Sequence, residues 1–372
     1  MPQHALTVLQ VLPALQSGGV ERGTLEVAAE LVRQGHRSLV ISAGGRMQTE
    51  LVEQGSEHIT LPIGKKSLTT LGLIPTLRRI LVEQEIDILH ARSRLPAWIA
   101  WRAWRKLAGN TNPPHFVTTF HGFYSPGWYS SVMARGERVI AVSDSIHDYI
   151  RQHYARTPEP ALHTIYRGVD PQHYPLGYQP SQQWLDRWAA EYPSLQNKFI
   201  VTLPGRITRL KGCEDLIEIL ALLKQKNVET HALVVGDVQA GKQAFLQELQ
   251  DKARHAGVDN ITFCGHRADV QEIMAVSNIV LSLSNKPESF GRTTLEALTM
   301  GVPVLGYDHG GVGEQLATLL PPGRIAVGDI NAAANTIEAW MTQAPVVKRN
   351  EVYTLDKMLE QTLALYRDVV GI

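Results

Sequence analysis

Two glutamates eight positions apart enclose the part of the sequence best suited to chemistry. The residues between Glu288 and Glu296 read as a loop that opens into a helix near Gly291. The spacing does not suit a close acid/base pair. It favours two carboxylates that accept hydrogen bonds from different hydroxyl-bearing parts of one ligand. The main-chain amides of Phe290, Gly291 and Arg292 would face that ligand, because the start of a helix favours phosphate oxygens.

A second loop carries two cations. Arg206 and Lys211 lie between a predicted strand and a predicted helix, in the segment Gly205–Gly212. A guanidinium and an ammonium at the end of a strand suit a diphosphate, and they can stabilise the negative charge that develops when a diphosphate leaves. The alternative is a pair of solvated surface charges with no ligand.

A glycine pair follows the first predicted strand. Gly18 and Gly19 open directly into a helix, so the backbone can approach a ligand closely and the free amides favour an anion. The segment lacks the GxGxxG fingerprint of dinucleotide-binding proteins. The alternative is an ordinary strand-to-helix turn.

The elements that must position these loops alternate between short apolar runs and longer helical patterns. In the first half of the chain, strands are predicted at Leu6–Leu12, Ser38–Ser42, Ile59–Leu61, Ile86–His90, Phe116–Phe120, Val139–Val142 and His163–Tyr166. Helices are predicted between them at Val20–Gln34, Leu71–Gln84, Pro96–Leu107 and Ser145–His153. This alternation is typical of a parallel sheet with helices on both faces.

The same pattern restarts after a proline-rich segment, Asp170–Pro193, which we interpret as a junction between domains. Strands and helices then alternate through Lys198–Leu203, Glu214–Lys226, Thr230–Val235, Lys242–Ala256, Ile261–Phe263, Val270–Ala275, Ile279–Leu283, Thr293–Thr299 and Pro303–Tyr307. The sequence therefore predicts an α/β protein with two tandem Rossmann-like doubly wound domains, residues 1–170 and 171–352, that face a ligand cleft. The amphipathic residues 353–372 predict a C-terminal helix that packs back toward the first domain.

Composition excludes several classes of protein. The chain has 372 residues, 36 basic against 36 acidic side chains and 44% hydrophobic residues, so a disordered chain or a nucleic-acid-coating protein is not expected. Its two cysteines, Cys213 and Cys264, cannot form a disulfide framework or a zinc site, which favours the cytoplasm. The sequence contains no run of 18 apolar residues, so an integral membrane protein is not expected.

One basic stretch has two interpretations. The segment Arg92–Lys106 contains five basic and no acidic residues, with Trp98, Trp101 and Trp104 at helical spacing. The indoles and cations could lie against the headgroups of an anionic membrane. Alternatively, the tryptophans pack on the sheet and the cations face water.

The combination of these segments resembles glycosyltransferase family 4, whose members are retaining enzymes of the GT-B fold, including bacterial lipopolysaccharide and polysaccharide glycosyltransferases. The resemblance rests on the Gly18–Glu21 turn, on Arg206 with Lys211, and on Glu288 with Glu296 in an E-x7-E arrangement. It extends over nearly the whole chain, through Thr119-Phe-His121-Gly122, Ala141-Val-Ser143, Gly168-Val-Asp170 and Phe263-Cys-Gly265. One departure is Arg167, where many members have asparagine.

The resemblance implies a role for each candidate residue. The donor's diphosphate would meet the Arg206 and Lys211 side chains and the amides of Gly18, Gly19, Phe290, Gly291 and Arg292. Glu296 would bind the ribose, Glu288 the transferred sugar, and His121 the sugar near the reacting centre. The loop that contains Arg267 would line the nucleobase pocket.

The implied reaction is transfer of a hexose or N-acetylhexosamine from a nucleotide sugar, UDP-sugar favoured over GDP-sugar, to a glycan or lipid-linked acceptor in cell-envelope polysaccharide or lipopolysaccharide synthesis. No D-x-D motif stands in a suitable loop, so we expect neither a metal ion nor another cofactor. The expected location is the cytoplasm or the inner face of the cytoplasmic membrane. The alternatives are a GT-B nucleotide-sugar epimerase and a non-catalytic nucleotide-sugar-binding subunit.

Overall fold

The chain folds into two compact units, each built on its own parallel sheet. A computed structural model describes residues 5–109, 111–154, 157–238, 241 and 243–372. The first unit comprises the chain up to Arg167 together with Asp356–Ile372, and the second comprises Gly168–Leu355. Two parallel-sheet α/β units are what the sequence predicts, so the expected fold class is confirmed.

The first unit contains a seven-stranded sheet in which every pairing is parallel. Its strands are β1 (Thr7–Val11), β2 (Arg37–Ser42), β3 (Glu57–Thr60), β4 (Ile88–Ala91), β5 (His115–Phe120), β6 (Arg138–Ala141) and β7 (Leu162–Thr164). They lie in the order β3-β2-β1-β4-β5-β6-β7. The central strands β1, β4 and β5 are almost completely buried, as expected when helices cover both faces of a sheet.

The helices of this unit follow the predicted pattern with local differences. They are α1 (Gly19–Arg33), α2 (Gln48–Glu53), α3 (Ile74–Glu83), α4 (Arg94–Trp104) and α5 (Asp144–His153). The short α2 was not predicted. The predicted helix Leu71–Gln84 divides into a 3₁₀ segment, Leu68–Leu73, and α3, which has Pro75 in its first turn.

The second unit repeats the architecture with a six-stranded parallel sheet. Its strands are β8 (Phe199–Pro204), β9 (Thr230–Val235), β10 (Ile261–Gly265), β11 (Ile279–Ser282), β12 (Val304–Tyr307) and β13 (Arg324–Ile325). They lie in the order β10-β9-β8-β11-β12-β13. Only the two-residue β13 has no counterpart among the predicted strands.

Three helices of the second unit were not predicted. Its helices are α6 (Gln182–Glu191), α7 (Cys213–Gln225), α8 (Gln243–His255), α9 (Val270–Ala275), α10 (Arg292–Thr299), α11 (Gly310–Leu319) and α12 (Ile330–Thr342). Helix α6 lies within the segment that we interpreted as a junction: Ser181 caps it by accepting a hydrogen bond from the Trp184 amide, and Trp184 is buried. Helices α11 and α12 are also new. The predicted helix Lys242–Ala256 is observed as α8, and Lys242 lies outside the described residues.

The last helix, α13 (Leu355–Val370), belongs mostly to the first unit, which confirms that the C-terminus returns there. Tyr366 is fully buried, and its hydroxyl lies 2.6 Å from Nδ1 of His90 at the end of β4. Arg138 donates to Asp368 at 2.8 Å and ties the end of α13 to β6. The final helix is therefore part of the structure around β4.

The strand orders fix where a ligand can bind. In each sheet the order of the strands along the chain reverses beside the unit's first strand. The reversal lies between β1 and β4 in the first unit and between β8 and β11 in the second. In open parallel sheets the crevice beyond the carboxyl ends of two such strands is the usual ligand site. Gly18 and Gly19 follow β1, Arg206 and Lys211 follow β8, and Glu288 follows β11.

The basic stretch Arg92–Lys106 is divided between core and surface. Arg92 is only 2% exposed and donates to Gln10, Trp98 is buried, and the Trp104 indole donates to the Pro114 carbonyl oxygen at 2.7 Å. For Arg92 and Trp98 the interpretation as core residues therefore applies, Trp104 is half-buried, and contact of the exposed residues of this stretch with a membrane stays a prediction. In the described parts of the chain, no helix has the length and hydropathy needed to cross a bilayer.

Candidate functional site

A half-buried ion pair joins the two candidate loops of the second unit. Nζ of Lys211, in the loop after β8, lies 2.7 Å from Oε1 of Glu288, in the loop after β11. The Ser284 hydroxyl donates to the same carboxylate oxygen at 2.5 Å. The fold thus brings together two predicted site residues that are 77 positions apart in the chain.

The partners of Glu288 decide its charge. Burial raises the pKa of this carboxyl, but the Lys211 ammonium, the Ser284 hydroxyl and the charge of His309 outweigh burial, so the pKa lies below its ordinary value. Glu288 is therefore an ionised hydrogen-bond acceptor in the neutral pH range. An ionised carboxylate can accept from the hydroxyl groups of a sugar.

A second glycine pair, Gly310 and Gly311, packs against the backbone of the loop that carries Glu288. The Gly311 amide donates to the Glu288 carbonyl oxygen at 2.8 Å, and Gln315 donates to the Phe290 carbonyl oxygen at 2.6 Å. Gly310 adopts φ 58°, and a Cβ there would lie 2.5 Å from the same Glu288 oxygen. His309 contacts the Ser284 carbonyl oxygen at 2.7 Å.

Sequence reasoning missed these supporting residues, although a signal was present. Gly310 and Gly311 follow strand β12 and open helix α11, which is the pattern that singled out Gly18 and Gly19 after β1. The missed residues position the Glu288 loop.

The loop enters α10 through main-chain atoms. Phe290 is 5% exposed and packs edge-on against Tyr353, so its side chain is not available to a ligand. Gly291 has φ 87°, and a Cβ there would come within 2.6 Å of Val312. A side chain at this position is therefore excluded by both backbone conformation and space.

The second carboxylate of the pair has the opposite tendency. Glu296, in α10, is 15% exposed and lies 3.2 Å from Nε of Arg292. Burial raises its pKa; Arg292, Tyr174 and His173 oppose the shift without cancelling it. The Arg292 side chain therefore contacts Glu296. The donor-binding role that the resemblance implies for Arg292 concerns its main-chain amide, and this role stays a prediction.

Arg206 is exposed, and with Lys211 it borders a cavity of about 700 Å³ beyond β8. Because Arg206 and Lys211 border the same cavity, they are placed to bind one diphosphate group. The backbone beside them is tightly packed, since a Cβ on Gly236, which follows β9, would lie 2.1 Å from the Gly205 carbonyl oxygen.

Arg267 is committed to other contacts. It donates to both oxygens of Asp269, at 2.9 and 2.8 Å, and to Glu191 at 2.6 Å. Its guanidinium also lies 5.6 Å from the ring centre of Trp188. These contacts connect the loop after β10 to helix α6. The predicted role of Arg267 at a nucleobase stays a prediction.

In the first unit, an arginine contacts the predicted glycine turn. Nη2 of Arg167 donates to the Gly19 carbonyl oxygen at 2.7 Å. A Cβ on Gly23 would lie 2.2 Å from two of its guanidinium nitrogens, so the absence of a side chain at Gly23 makes room for Arg167. The unusual arginine noted in the sequence therefore packs on the first turns of α1.

His121, just after β5, lies in a cationic environment. Burial first, and then the charges of Arg167, Arg92 and His90, hold its pKa well below its ordinary value. The imidazole is consequently neutral near pH 7, and it can both donate and accept a hydrogen bond.

The candidate residues of the second unit are of types that suit an anionic ligand. Among the described residues no three His, Cys, Asp or Glu side chains cluster as metal ligands. The second unit instead offers two cations, an ionised carboxylate and helix-start amides beyond one pair of strands.

Comparison with known proteins gives consistent matches. The profile of Glycosyltransferase Family 4 matches residues 17–173, and that of Glycosyl transferases group 1 matches residues 186–353. N-acetyl-alpha-D-glucosaminyl L-malate synthase of Bacillus anthracis is 25% identical over 81% of this chain and 78% of its own length. The lipopolysaccharide core biosynthesis mannosyltransferase LpsB of Rhizobium meliloti is 25% identical over 59% of each chain.

Solved structures share the fold over the whole chain. A glycosyltransferase from Rickettsia africae is 28% identical with a TM-score of 0.86, and the match covers 99% of both chains. HepE from Anabaena, solved with UDP and glucose, is 22% identical with a TM-score of 0.79, and the match covers 98% of this chain and all of that one.

The Lys211–Glu288 pair predicts a pH-dependent effect of Lys211→Met. In the wild type the lowered pKa of Glu288 contributes stability above its unfolded value and loses it as pH falls. Without Lys211, burial should raise the pKa above the unfolded value, so the carboxylate becomes costly as pH rises. The destabilisation caused by Lys211→Met should therefore grow between pH 5 and pH 8, measured by chemical unfolding.

Lys226→Met is the matched control, because Lys226 pairs with Glu338 at 2.6 Å on the surface of the same unit. Equal and pH-independent effects of the two substitutions would contradict the assigned electrostatics of Glu288.

Proposed function

The chain belongs to family 4 of the glycosyltransferases, and from that premise we propose that it transfers a sugar from a nucleoside diphosphate donor with retention of configuration. The observation that carries the proposal is the Lys211–Glu288 pair beside Arg206, beyond β8 and β11. Cations for a diphosphate and an ionised carboxylate for sugar hydroxyls are adjacent there.

The favoured donor is a UDP-linked hexose or N-acetylhexosamine, preferred over a GDP-sugar. Support comes from the structure of HepE with UDP and glucose, which shares this fold. The Bacillus anthracis relative is named for a glucosaminyl product, which is consistent with an amino sugar. Glu296, partly buried in α10, is the proposed partner of the ribose hydroxyls.

The proposed acceptor is a glycan or lipid-linked intermediate of cell-envelope polysaccharide or lipopolysaccharide. The name of LpsB supports this context. We place the reaction in the cytoplasm or at the inner face of the cytoplasmic membrane, where such acceptors are accessible.

The proposed chemistry is a same-face substitution at the sugar. The bond between the anomeric carbon and the donor's phosphate oxygen breaks, a bond to the acceptor oxygen forms on the same face, and the acceptor's proton passes to the leaving phosphate. Arg206, Lys211 and the amides of Gly291 and Arg292 stabilise the charge that develops on that phosphate. His121 is the proposed contact of the transferred sugar.

The first test separates the two glutamates. Ribose is present in both UDP and UDP-sugar, so Glu296→Gln should weaken binding of both. Glu288→Gln should spare UDP and instead lower the transfer rate and the discrimination among sugars, because an altered hydrogen-bond partner removes selectivity. Calorimetric titration of UDP into each variant measures the difference. Equal losses of UDP affinity would refute this division of roles, and a loss of stability without a loss of affinity would give Glu296 a purely structural role.

The second test addresses metal dependence. If cations of the chain balance the diphosphate, then acceptor-dependent release of UDP from a UDP-sugar should persist in excess EDTA. Activity that disappears and returns with Mg²⁺ or Mn²⁺ would overturn a metal-independent mechanism. The same assay distinguishes the reaction class: an epimerase would alter the donor without an acceptor, and a binding subunit would release no UDP.

A further inference from the structure

One face of the first unit carries a concentration of cations, which we call the α3–α4 surface. It consists of the exposed sides of α3 and α4 and the turn that follows α4, where two neighbouring cavities of about 530 and 570 Å³ open. Pro75 and Arg78 line both cavities. The other basic residues that line them are Arg79, Arg102, Arg105 and Lys106.

Negative charge is sparse on this surface. The described lining of the two cavities contains one acidic residue, Glu83, which lies 3.8 Å from Arg79. Lys65 and Lys66 are exposed in the segment that leads into the neighbouring 3₁₀ turn. Because the whole chain has a formal net charge of zero, these cations represent a local segregation of charge.

Aromatic rings connect the surface to the core. Trp128, 66% exposed, stacks on buried Trp98 with ring centres 4.3 Å apart, and Trp98 meets Trp101 edge-on at 5.5 Å. Arg135 lies over Trp98 and Trp101, at 5.0 and 4.5 Å, and Arg105 lies 4.6 Å from the Trp101 ring centre. The exposed Trp128 is therefore fixed in position on the row of rings that leads to the basic cavities.

The chemistry of this surface selects one kind of partner. Guanidinium groups bind phosphate in a two-pronged manner, and an indole with one apolar side is favoured at the boundary between lipid headgroups and acyl chains. We propose that the α3–α4 surface binds an anionic phospholipid bilayer, with lipid phosphates at the two cavities and Trp128 at the headgroup level.

This inference rests on the proposed function only for its purpose, since a lipid-linked acceptor would be found at such a bilayer. It also replaces the sequence-based candidate. The stretch Arg92–Lys106 contributes only its outer residues, whereas Arg78 and Arg79 come from a different helix, which the spacing of the tryptophans could not indicate.

The test is co-sedimentation of the full chain with vesicles of phosphatidylcholine alone, or of phosphatidylcholine mixed with phosphatidylglycerol. Wild type should bind the mixed vesicles more tightly, with a preference that weakens as salt is added. Replacing both Arg78 and Arg105 with Gln removes two cations, each worth about fivefold in partitioning near an anionic surface, so binding should fall about 25-fold. Trp128→Ser should weaken binding several-fold at all salt concentrations.

The matched control replaces Lys348 and Arg349 with Gln, since both are exposed and lie in the second unit. The control should bind mixed vesicles as wild type does. Equal binding to both kinds of vesicle, equal losses in the control, or binding to acidic polymers such as heparin without binding to vesicles would overturn the proposal.

Titration of UDP into the same variants keeps the two proposals separate. The surface substitutions should leave UDP affinity unchanged, because they lie outside the unit that contains Lys211 and Glu288. A protein that binds mixed vesicles but neither UDP nor UDP-sugar would contradict the proposed function and leave the membrane surface supported.

Discussion

The ion pair between Lys211 and Glu288 is the interaction on which the second unit's candidate site depends. It connects the loops beyond β8 and β11, the two strands between which the sheet order reverses. Under the proposed function, a diphosphate would compete with Glu288 for Lys211, and a sugar hydroxyl would compete with Lys211 for Glu288. The pair would then exchange its internal contact for two contacts to one donor, so that neither charge is left unpaired while partly buried.

The supporting structure keeps these two side chains in place. Ser284 donates to Glu288, and the backbone of the Glu288 loop rests on the start of α11 through the Gly311 amide. The same opposition of burial and charge has different outcomes at the two glutamates. Neighbouring donors lower the pKa of Glu288, whereas burial prevails at Glu296. The two carboxylates of one motif therefore differ in the direction of their pKa shifts.

Much of the fold could be predicted from sequence because apolar runs and helical periodicity reveal buried parallel strands and amphipathic helices directly. Helix α11 escaped prediction because Gly310, Gly311 and Gly313 lower helix propensity. At least the first two are required by close backbone contacts to the Glu288 loop, which only the folded chain reveals.

The candidate site was predictable in its residue types and not in its pairings. Glu288 and Lys211 were recognised separately, but no spacing rule predicts that residues 77 positions apart form an ion pair. The hydrogen bond from Ser284 to Glu288 likewise becomes visible only in the folded chain. The family resemblance predicted that the loop of Arg267 lines a nucleobase pocket, whereas in the structure the Arg267 side chain pairs with Asp269. Side-chain contacts of this kind depend on tertiary packing, which local sequence patterns do not encode.

The central claim is that the cations beyond β8 bind a diphosphate. Its most direct test is calorimetric titration of UDP and of uridine into wild type and into a variant with both Arg206 and Lys211 replaced by Ala. The account predicts that wild type binds UDP far more tightly than uridine. In the variant, the ratio of UDP affinity to uridine affinity should fall by at least about tenfold for each charged hydrogen bond lost, while the affinity for uridine is retained. An unchanged gap between UDP and uridine in the variant would contradict the account.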